Sequence, residues 1–130
     1  MNPKIKMLAI DDEAGVREMI HDHFSLRGFE VSTADDGGKG IALAQKIQPE
    51  VILLDLKMKQ MDGDRALGQI RELAPAAKIF VVSGYQNELA RKKIQGFAVE
   101  GCFEKPVSLL ELEKAIRRAL GASEDRQSSS

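Results

Sequence analysis

A carboxylate follows the most apolar segment of the chain. Residues 51–54 are Val-Ile-Leu-Leu, and Asp55 comes directly after them. A short apolar run with a turn signal close behind it predicts a strand buried on both faces, as in a parallel sheet. Asp55 then lies at the carboxyl end of that strand, where open α/β sheets bind their ligands. A charge in this position requires a cation, a hydrogen-bond donor or a chemical role.

Other polar residues follow three further predicted strands, and they are Asp11, Asp12, Ser83 and Lys105. Because the carboxyl ends of parallel strands share one edge of the sheet, we expect these side chains to gather around Asp55. Carboxylates that lie close together raise one another's pKa unless a cation neutralises them. Mg²⁺ suits this set, because it binds one or two carboxylates together with waters and a phosphate oxygen. A lysine and a hydroxyl opposite the carboxylates complete a phosphoryl-binding site, in which Asp55 is the best-placed nucleophile.

The elements that must position these residues are short and alternate regularly. Apolar runs predict strands over residues 5–10, 29–34, 51–55, 78–82 and 99–103. Helical spacing of apolar residues predicts helices over about 13–27, 41–47, 66–73, 86–95 and 109–119. Local signals add a turn at residues 35–38, a helix end at Gly28, a helix end at Gly121 and a capping box from Ser108 to Glu111.

Strands that alternate with helices predict an α/β fold, because right-handed crossovers place helices on both faces of a parallel sheet. We therefore expect a flavodoxin-like, doubly wound, five-stranded parallel sheet of order 2-1-3-4-5 with five helices. Residues 1–121 are predicted to form one domain. Residues 122–130 are polar and without periodicity, which predicts a flexible tail or an artificial end of the chain.

Composition excludes several classes of protein. The net charge is −1, which argues against a domain that binds nucleic acid directly or coats a membrane. Cys102 is the single cysteine, so no internal disulfide is expected and a reducing compartment is suitable. No apolar run approaches the roughly 18 residues of a membrane span. We expect a cytoplasmic protein.

Four motifs occur in order between residues 5 and 120: Asp11-Asp12, LLDLKM-x-x-MDG from Leu53 to Gly63, VVSG from Val81 to Gly84, and EKP from Glu104 to Pro106. Each motif lies at the end of a predicted strand. Taken together, they resemble the response regulator receiver domain of two-component signalling. The resemblance implies that Asp55 accepts a phosphoryl group from the phosphohistidine of a sensor kinase or phosphotransfer protein.

The resemblance also implies the roles of the neighbouring residues. Asp12, Asp55 and the backbone carbonyl of Lys57 would bind Mg²⁺ directly, and Asp11 would assist through water. Ser83 and Lys105 would contact phosphoryl oxygens, and the bond from Lys105 to the following proline is commonly cis in the family.

Such a domain is a regulatory phosphoacceptor rather than an enzyme, with self-catalysed phosphotransfer and autodephosphorylation only. Its output partner or domain would bind the face formed by the fourth helix, the fifth strand and the fifth helix.

The sequence departs from the family pattern at two positions. Lys59 replaces the proline that usually follows the acceptor by four residues, which predicts a less rigid loop. Cys102 replaces the aromatic switch residue, and Phe103 is not expected to substitute for it because adjacent strand residues face opposite sides. Lys57 and Tyr85 occupy the two variable positions beside the site. The predicted switch residues are therefore Ser83, Tyr85 and Cys102.

Other interpretations stay open. The chain could be a degenerate receiver that acts as an unphosphorylated scaffold, or a phosphatase of the haloacid-dehalogenase type with an aspartyl-phosphate intermediate. The second class carries an acid two residues after the nucleophile, where this chain has Lys57. In the simplest alternatives, Asp11 and Asp12 only cap the first helix, and Cys102 is a small buried apolar residue.

Overall fold

The computed structural model describes residues 3–58, 63–85 and 87–121. Within these ranges the strands are β1 Ile5–Ile10, β2 Phe29–Ala34, β3 Val51–Leu54, β4 Lys78–Ser83 and β5 Gly101–Glu104. The helices are α1 Ala14–Ser25, α2 Gly37–Ile47, α3 Gly63–Leu73, α4 Asn87–Lys93 and α5 Leu109–Ala119. None of the helices in this part of the chain is long and apolar enough to span a membrane.

The strands form one parallel sheet in the order β2-β1-β3-β4-β5, which confirms the predicted fold class. Alternate residues of each central strand enter different layers. In β3, Ile52 and Leu54 pack in the layer under α2, α3 and α4, whereas Val51 and Leu53 pack in the layer under α1 and α5. Both faces of β3 are buried, so its sequence is continuously apolar rather than alternating.

The second helix begins four residues earlier than predicted, at Gly37. The prediction of a turn over residues 35–38 is wrong for Gly37 and Gly38, because Asp36 caps the helix. Its Oδ1 accepts a hydrogen bond of 2.8 Å from the backbone N–H of Lys39. At Gly40 a glycine is required by packing, because a Cβ at this position would lie 2.5 Å from Cδ1 of Ile10. The helix therefore packs unusually close to β1.

Smaller differences concern the ends of elements. β5 begins at Gly101, two residues later than predicted, and α1 ends at Ser25. Gly28 has a φ of 92° in the turn into β2, two residues after the C-cap of α1. Ser108 caps α5 as predicted, because its Oγ accepts from the N–H of Glu111 at 3.3 Å. Leu120 is the C-cap of α5, so Gly121 follows it at C′, as the sequence predicts. Lys59 and the predicted tail at 122–130 lie outside the described residues.

A buried carboxylate joins α1 to α5. Glu113 is 7% exposed. Its carboxylate accepts hydrogen bonds from the Nε2–H of His23 at 2.9 Å, from Arg27 Nε at 2.6 Å and from Arg117 Nε at 3.0 Å. Burial disfavours the charged carboxylate, but the hydrogen bonds outweigh burial and lower the pKa of Glu113. We call these four residues the Glu113 cluster.

Candidate functional site

Two carboxylates lie at the same edge of the sheet because the backbone continues its hydrogen-bonding pattern past the strand ends. The N–H of Asp11 donates to the carbonyl of Ala34 at 3.0 Å, and the N–H of Asp55 donates to the carbonyl of Ile10 at 3.0 Å. β1 and β3 are adjacent in the sheet but their chain connections leave in opposite directions. This is the topological switch point, where open α/β sheets form a binding crevice.

Four acidic residues converge at this point. Asp11 and Asp55 are buried, with 4% and 2% of their surface exposed, whereas Asp12 is half-buried and Glu13 is exposed. One carboxylate oxygen from each residue lies within 4.8 Å of the others. We call these four residues the acidic cluster. The loop after β1 therefore supplies three of the carboxylates and the end of β3 supplies the fourth.

One lysine reaches into the acidic cluster from the loop after β5. Lys105 Nζ lies 2.9 Å from Asp11 Oδ2, 2.8 Å from Glu13 Oε1 and 3.3 Å from Asp55 Oδ2. Its backbone N–H donates to the carbonyl of Ser83 at 2.8 Å, and its peptide bond to Pro106 is cis. The ammonium group thus bridges carboxylates from two different strand ends.

The electrostatics of the cluster follow from burial and an excess of negative charge. Burial and the nearby Asp11 carboxylate together raise the pKa of Asp55 to about 6, although the N–H of Lys57 and the Lys105 ammonium oppose the shift. Burial likewise raises the pKa of Asp11. For Lys105, burial disfavours the charged form, but hydrogen bonds to Asp11 and Glu13 outweigh burial and raise its pKa. The contact with Lys105 therefore does not offset the effect of burial on Asp11 and Asp55.

Ser83 is the last residue of β4 and is fully buried. Its Oγ accepts a hydrogen bond of 3.1 Å from the N–H of Tyr85. The N–H of Lys57 makes a similar contact, donating to Asp55 Oδ1 at 3.0 Å. The side chains at the ends of β3 and β4 are thus each engaged by a backbone N–H two residues further along the chain.

The predicted switch residue on β5 faces the layer under α2, α3 and α4. Cys102 is half-buried there, and burial raises the pKa of its thiol, which disfavours the reactive thiolate. Phe103 packs in the opposite layer, under α1 and α5, and its ring centroid lies 6.4 Å from that of Phe80. The expectation that Phe103 does not take the place of an aromatic residue at 102 agrees with this packing.

Sequence reasoning missed two residues of the site. Glu13 is the N-cap residue of α1, yet its side chain makes no cap hydrogen bond and contacts Lys105 instead. Arg17 Nη1 donates to the backbone carbonyl of Asp11 at 2.7 Å, which ties α1 to the loop that carries the acids. Asp11 Oδ1 accepts from the N–H of Glu13 at 2.9 Å, so Asp11 shapes this loop. The only available signals were the acidic run that Glu13 extends and the four-residue spacing from Glu13 to Arg17.

The model of the family described as the response regulator receiver domain matches residues 7–117. The chain belongs to this family. The chain is 34% identical over 116 residues to the regulatory protein AtoC of Escherichia coli (strain K12). The alignment covers 88% of this chain and 25% of AtoC. It is 25% identical over 120 residues to sporulation initiation phosphotransferase F of Bacillus subtilis (strain 168), covering 92% of this chain and 95% of that protein.

A solved structure agrees with the curated relatives. The chemotaxis protein CheY4 of Vibrio cholerae superimposes with a TM-score of 0.82 at 27% identity, covering 88% of this chain and 98% of CheY4. The chain spans a quarter to a half of the length of most of the curated relatives that it matches. The receiver domain of such regulators is a regulatory phosphoacceptor domain, and this statement applies to the present chain at the level of its family.

The residues of the acidic cluster suit a hard divalent cation such as Mg²⁺. Oxygens are the ligands that Mg²⁺ prefers, and carboxylate oxygens within 4.8 Å of one another need only small adjustments to reach one ion. Burial raises the pKa of both Asp11 and Asp55, and a divalent cation beside them would favour the ionised carboxylates. The donor set therefore fits the metal that the family typically binds.

Proposed function

We propose that this receiver domain accepts a phosphoryl group on Asp55 and that phosphorylation changes the binding of an output partner. The proposal depends mainly on the position of Asp55. Its carboxylate is 2% exposed at the switch point of the sheet, beside the carboxylate of Asp11 and within 3.3 Å of Lys105 Nζ. An ionisable group that is buried among like charges in this way is typical of a functional site.

The proposed reaction is a displacement at phosphorus. An Oδ atom of Asp55 attacks the phosphorus of a phosphohistidine, and a new O–P bond forms as the N–P bond breaks. The imidazole leaves with the bonding electron pair, as a neutral ring when its other nitrogen carries the proton. The raised pKa of Asp55, about 6, still leaves the carboxylate largely ionised at neutral pH and therefore nucleophilic.

Other residues of the chain would position the phosphoryl group. Lys105 Nζ would move from the carboxylates to a phosphoryl oxygen, and the Ser83 hydroxyl would donate to another. Asp12, Asp55 and the carbonyl of Lys57 would hold Mg²⁺, with Asp11 acting through water. When bound, the ion screens the negative charges of the acceptor and of the incoming phosphoryl group.

The proposed partners are a sensor histidine kinase or phosphotransfer protein as the donor, and an output partner or domain at the face formed by α4, β5 and α5. The name of the Bacillus relative, a phosphotransferase, supports phosphoryl transfer as the reaction. We propose that residues 1–121 form the signalling unit and that it acts in the cytoplasm.

The test is covalent labelling. Acetyl phosphate with Mg²⁺ should add one acid-labile phosphoryl group to the wild-type protein, as measured by intact mass, and Asp55→Asn should remove the labelling. Asp22→Asn is the matched control, because it neutralises an exposed carboxylate on α1 outside the site. Undiminished labelling of the Asp55→Asn protein would rule out Asp55 as the acceptor.

A scaffold that acts without phosphorylation is the alternative. The half-buried Cys102 favours it, because a thiol stands where the family usually has the aromatic switch residue. NMR spectra of the labelled protein decide between the two functions. Shifts of the Asp55 and Lys57 amides on addition of Mg²⁺ and beryllofluoride support phosphorylation, whereas unchanged spectra at millimolar concentrations of both support the scaffold.

A further inference from the structure

We infer that Tyr85 couples the phosphorylation site to α4, because its ring is shared between a lysine beside the acceptor and a lysine on that helix. This inference rests on the proposed phosphorylation of Asp55. It adds the route by which the charge at Asp55 reaches α4 in a chain that has Cys102 at the position of the usual aromatic residue.

The ring of Tyr85 has a cation on each of two sequence-distant segments. Lys57 Nζ lies 5.7 Å from the ring centroid and Lys93 Nζ lies 5.1 Å from it. Both distances fall within the roughly 6 Å over which an ammonium group is attracted to an aromatic face. Lys57 is exposed in the loop after β3, and Lys93 is half-buried in the last turn of α4. The ring therefore links the loop of the acceptor to the helix.

The backbones of Lys57 and Tyr85 are each held by a side chain that would bind the phosphoryl group. The N–H of Lys57 donates to Asp55 Oδ1, at 3.0 Å. The N–H of Tyr85 donates to Ser83 Oγ, at 3.1 Å. Phosphorylation of Asp55 and a new hydrogen bond from the Ser83 hydroxyl to the phosphoryl group would weaken or rearrange both hydrogen bonds. The position of the ring thus depends on the state of two groups in the site.

Phosphorylation also changes the charge that the lysines experience. A phosphoryl group adds roughly −1.5 to −2 charges at neutral pH. The Lys57 ammonium, two residues from the acceptor, is drawn toward that charge and away from the ring. The ring then has Lys93 as its remaining cation, and its altered position is transmitted to the last turn of α4.

Packing explains why α4 responds. Tyr85 is half-buried against the same layer that contains Ala90 and Ile94, from α4 and the turn that follows it. Cys102 contacts this layer from β5 but supplies only a small side chain. Tyr85 supplies an aromatic ring to this layer, so movement of its ring changes the surface on which α4 packs.

The test is the NMR response of α4 to beryllofluoride with Mg²⁺, which mimics the phosphoryl group on Asp55. The variants are Tyr85→Leu, which keeps an apolar side chain without a ring face, and Lys93→Gln, which removes the cation. Lys92→Gln is the matched control, because it removes an exposed charge from the neighbouring position of the same helix. Tyr85→Phe tests rescue, because it retains the ring.

In the wild-type protein the amides of residues 88–93 should shift when beryllofluoride saturates the site. In Tyr85→Leu and Lys93→Gln we expect about a two- to fivefold decrease in the ratio of shifted to resting α4 populations, as the loss of one cation–π contact predicts. The double variant should behave like Tyr85→Leu, because removing the ring already removes its contact with Lys93. Lys92→Gln and Tyr85→Phe should respond as the wild type does.

The outcomes separate this inference from the proposed function. If the Asp55 and Lys57 amides shift in every protein but α4 responds equally in Tyr85→Leu, Lys93→Gln and the wild type, the coupling through Tyr85 is wrong and phosphorylation stands. If these amides do not shift in the wild-type protein, the acceptor assignment fails and the coupling fails with it. A loss in Lys92→Gln equal to that in Lys93→Gln would show a general effect of charge on α4 and would also overturn the inference.

Discussion

The acidic cluster and the Glu113 cluster have opposite ratios of carboxylates to cations. In the acidic cluster there are four carboxylates, and one lysine ammonium contacts three of them. In the Glu113 cluster, one carboxylate contacts two guanidinium groups and an imidazole. Burial disfavours ionisation in both places, but the pKa of Asp55 is raised to about 6 whereas the pKa of Glu113 is lowered. Buried carboxylates that outnumber the cations around them indicate a ligand site, whereas a buried carboxylate surrounded by cations indicates a structural contact.

The largest expected effect on stability is the loss of the Glu113 cluster. Glu113→Gln should lower the free energy of unfolding by about 2–3 kcal/mol at pH 7, because charge-assisted hydrogen bonds between α1 and α5 are lost. The lowered pKa of Glu113 means that its contribution is present above the ordinary value of 4.5 and is lost as the pH falls through the folded-state value. Urea unfolding of both proteins at pH 7 and below pH 4 measures this, and an equal difference at both pH values would contradict the assignment.

In the acidic cluster, removing a carboxylate should increase stability instead. Asp55→Asn should raise the free energy of unfolding of the metal-free protein by about 1–2 kcal/mol at pH 7, because it removes a buried charge at a functional site. Between the ordinary value of 3.8 and about 6, the folded protein binds more protons at Asp55 than the unfolded chain does. The wild type therefore loses stability as the pH rises through this window, whereas Asp55→Asn does not. A destabilised Asp55→Asn protein at pH 7 would remove the contrast between the clusters.

Magnesium should reduce that contrast. At ten times its dissociation constant, Mg²⁺ should raise the free energy of unfolding of the wild type by about 1.4 kcal/mol. Most of this gain should disappear in Asp55→Asn, whereas Glu113→Gln should keep it, because its cluster lies between α1 and α5. Thermal unfolding with and without Mg²⁺ gives the comparison. Equal stabilisation of all three proteins would indicate that the ion binds elsewhere.

The smallest effect is expected for an exposed pair. Lys114 and Glu111 lie 3.8 Å apart on α5, and both side chains are about two-thirds exposed. Lys114→Gln should change the free energy of unfolding by less than about 0.5 kcal/mol, because water screens such pairs. Urea unfolding at pH 7 checks this value. A change as large as that of Glu113→Gln would mean that burial does not explain the difference between these charges.

Most of the fold follows from local sequence patterns. Apolar runs and helical spacing locate the strands and helices, and handedness then fixes a parallel sheet. The start of α2 was missed because the turn signal of Asp36-Gly37-Gly38 outweighed the capping role of Asp36 in the sequence. The close packing of Gly40 on Ile10, which makes a glycine-rich helix suitable here, is a tertiary contact that no local pattern contains.

The site was predictable to the extent that the topology determines it. Parallel strands bring their carboxyl ends to one edge, so the gathering of Asp11, Asp55 and Lys105 follows from the strand assignment. Long side chains depend on tertiary geometry instead. The contact of Glu13 with Lys105, the Glu113 cluster and the two lysines at the ring of Tyr85 are of this kind. Apart from the i,i+4 pair of Glu113 and Arg117 within α5, spacing in the sequence indicates none of these contacts.

The Lys105 ammonium has a consequence for how quickly the domain can load a metal ion. By bridging Asp11 and Asp55, it keeps mutually repelling acids in nearly the arrangement that a divalent ion requires. If a divalent ion binds at the proposed site, we expect the lysine side chain to move aside while the loops keep their arrangement. We then expect the rate of ion binding to be set by the loss of water from the ion, with the displaced ammonium still close to an incoming phosphate.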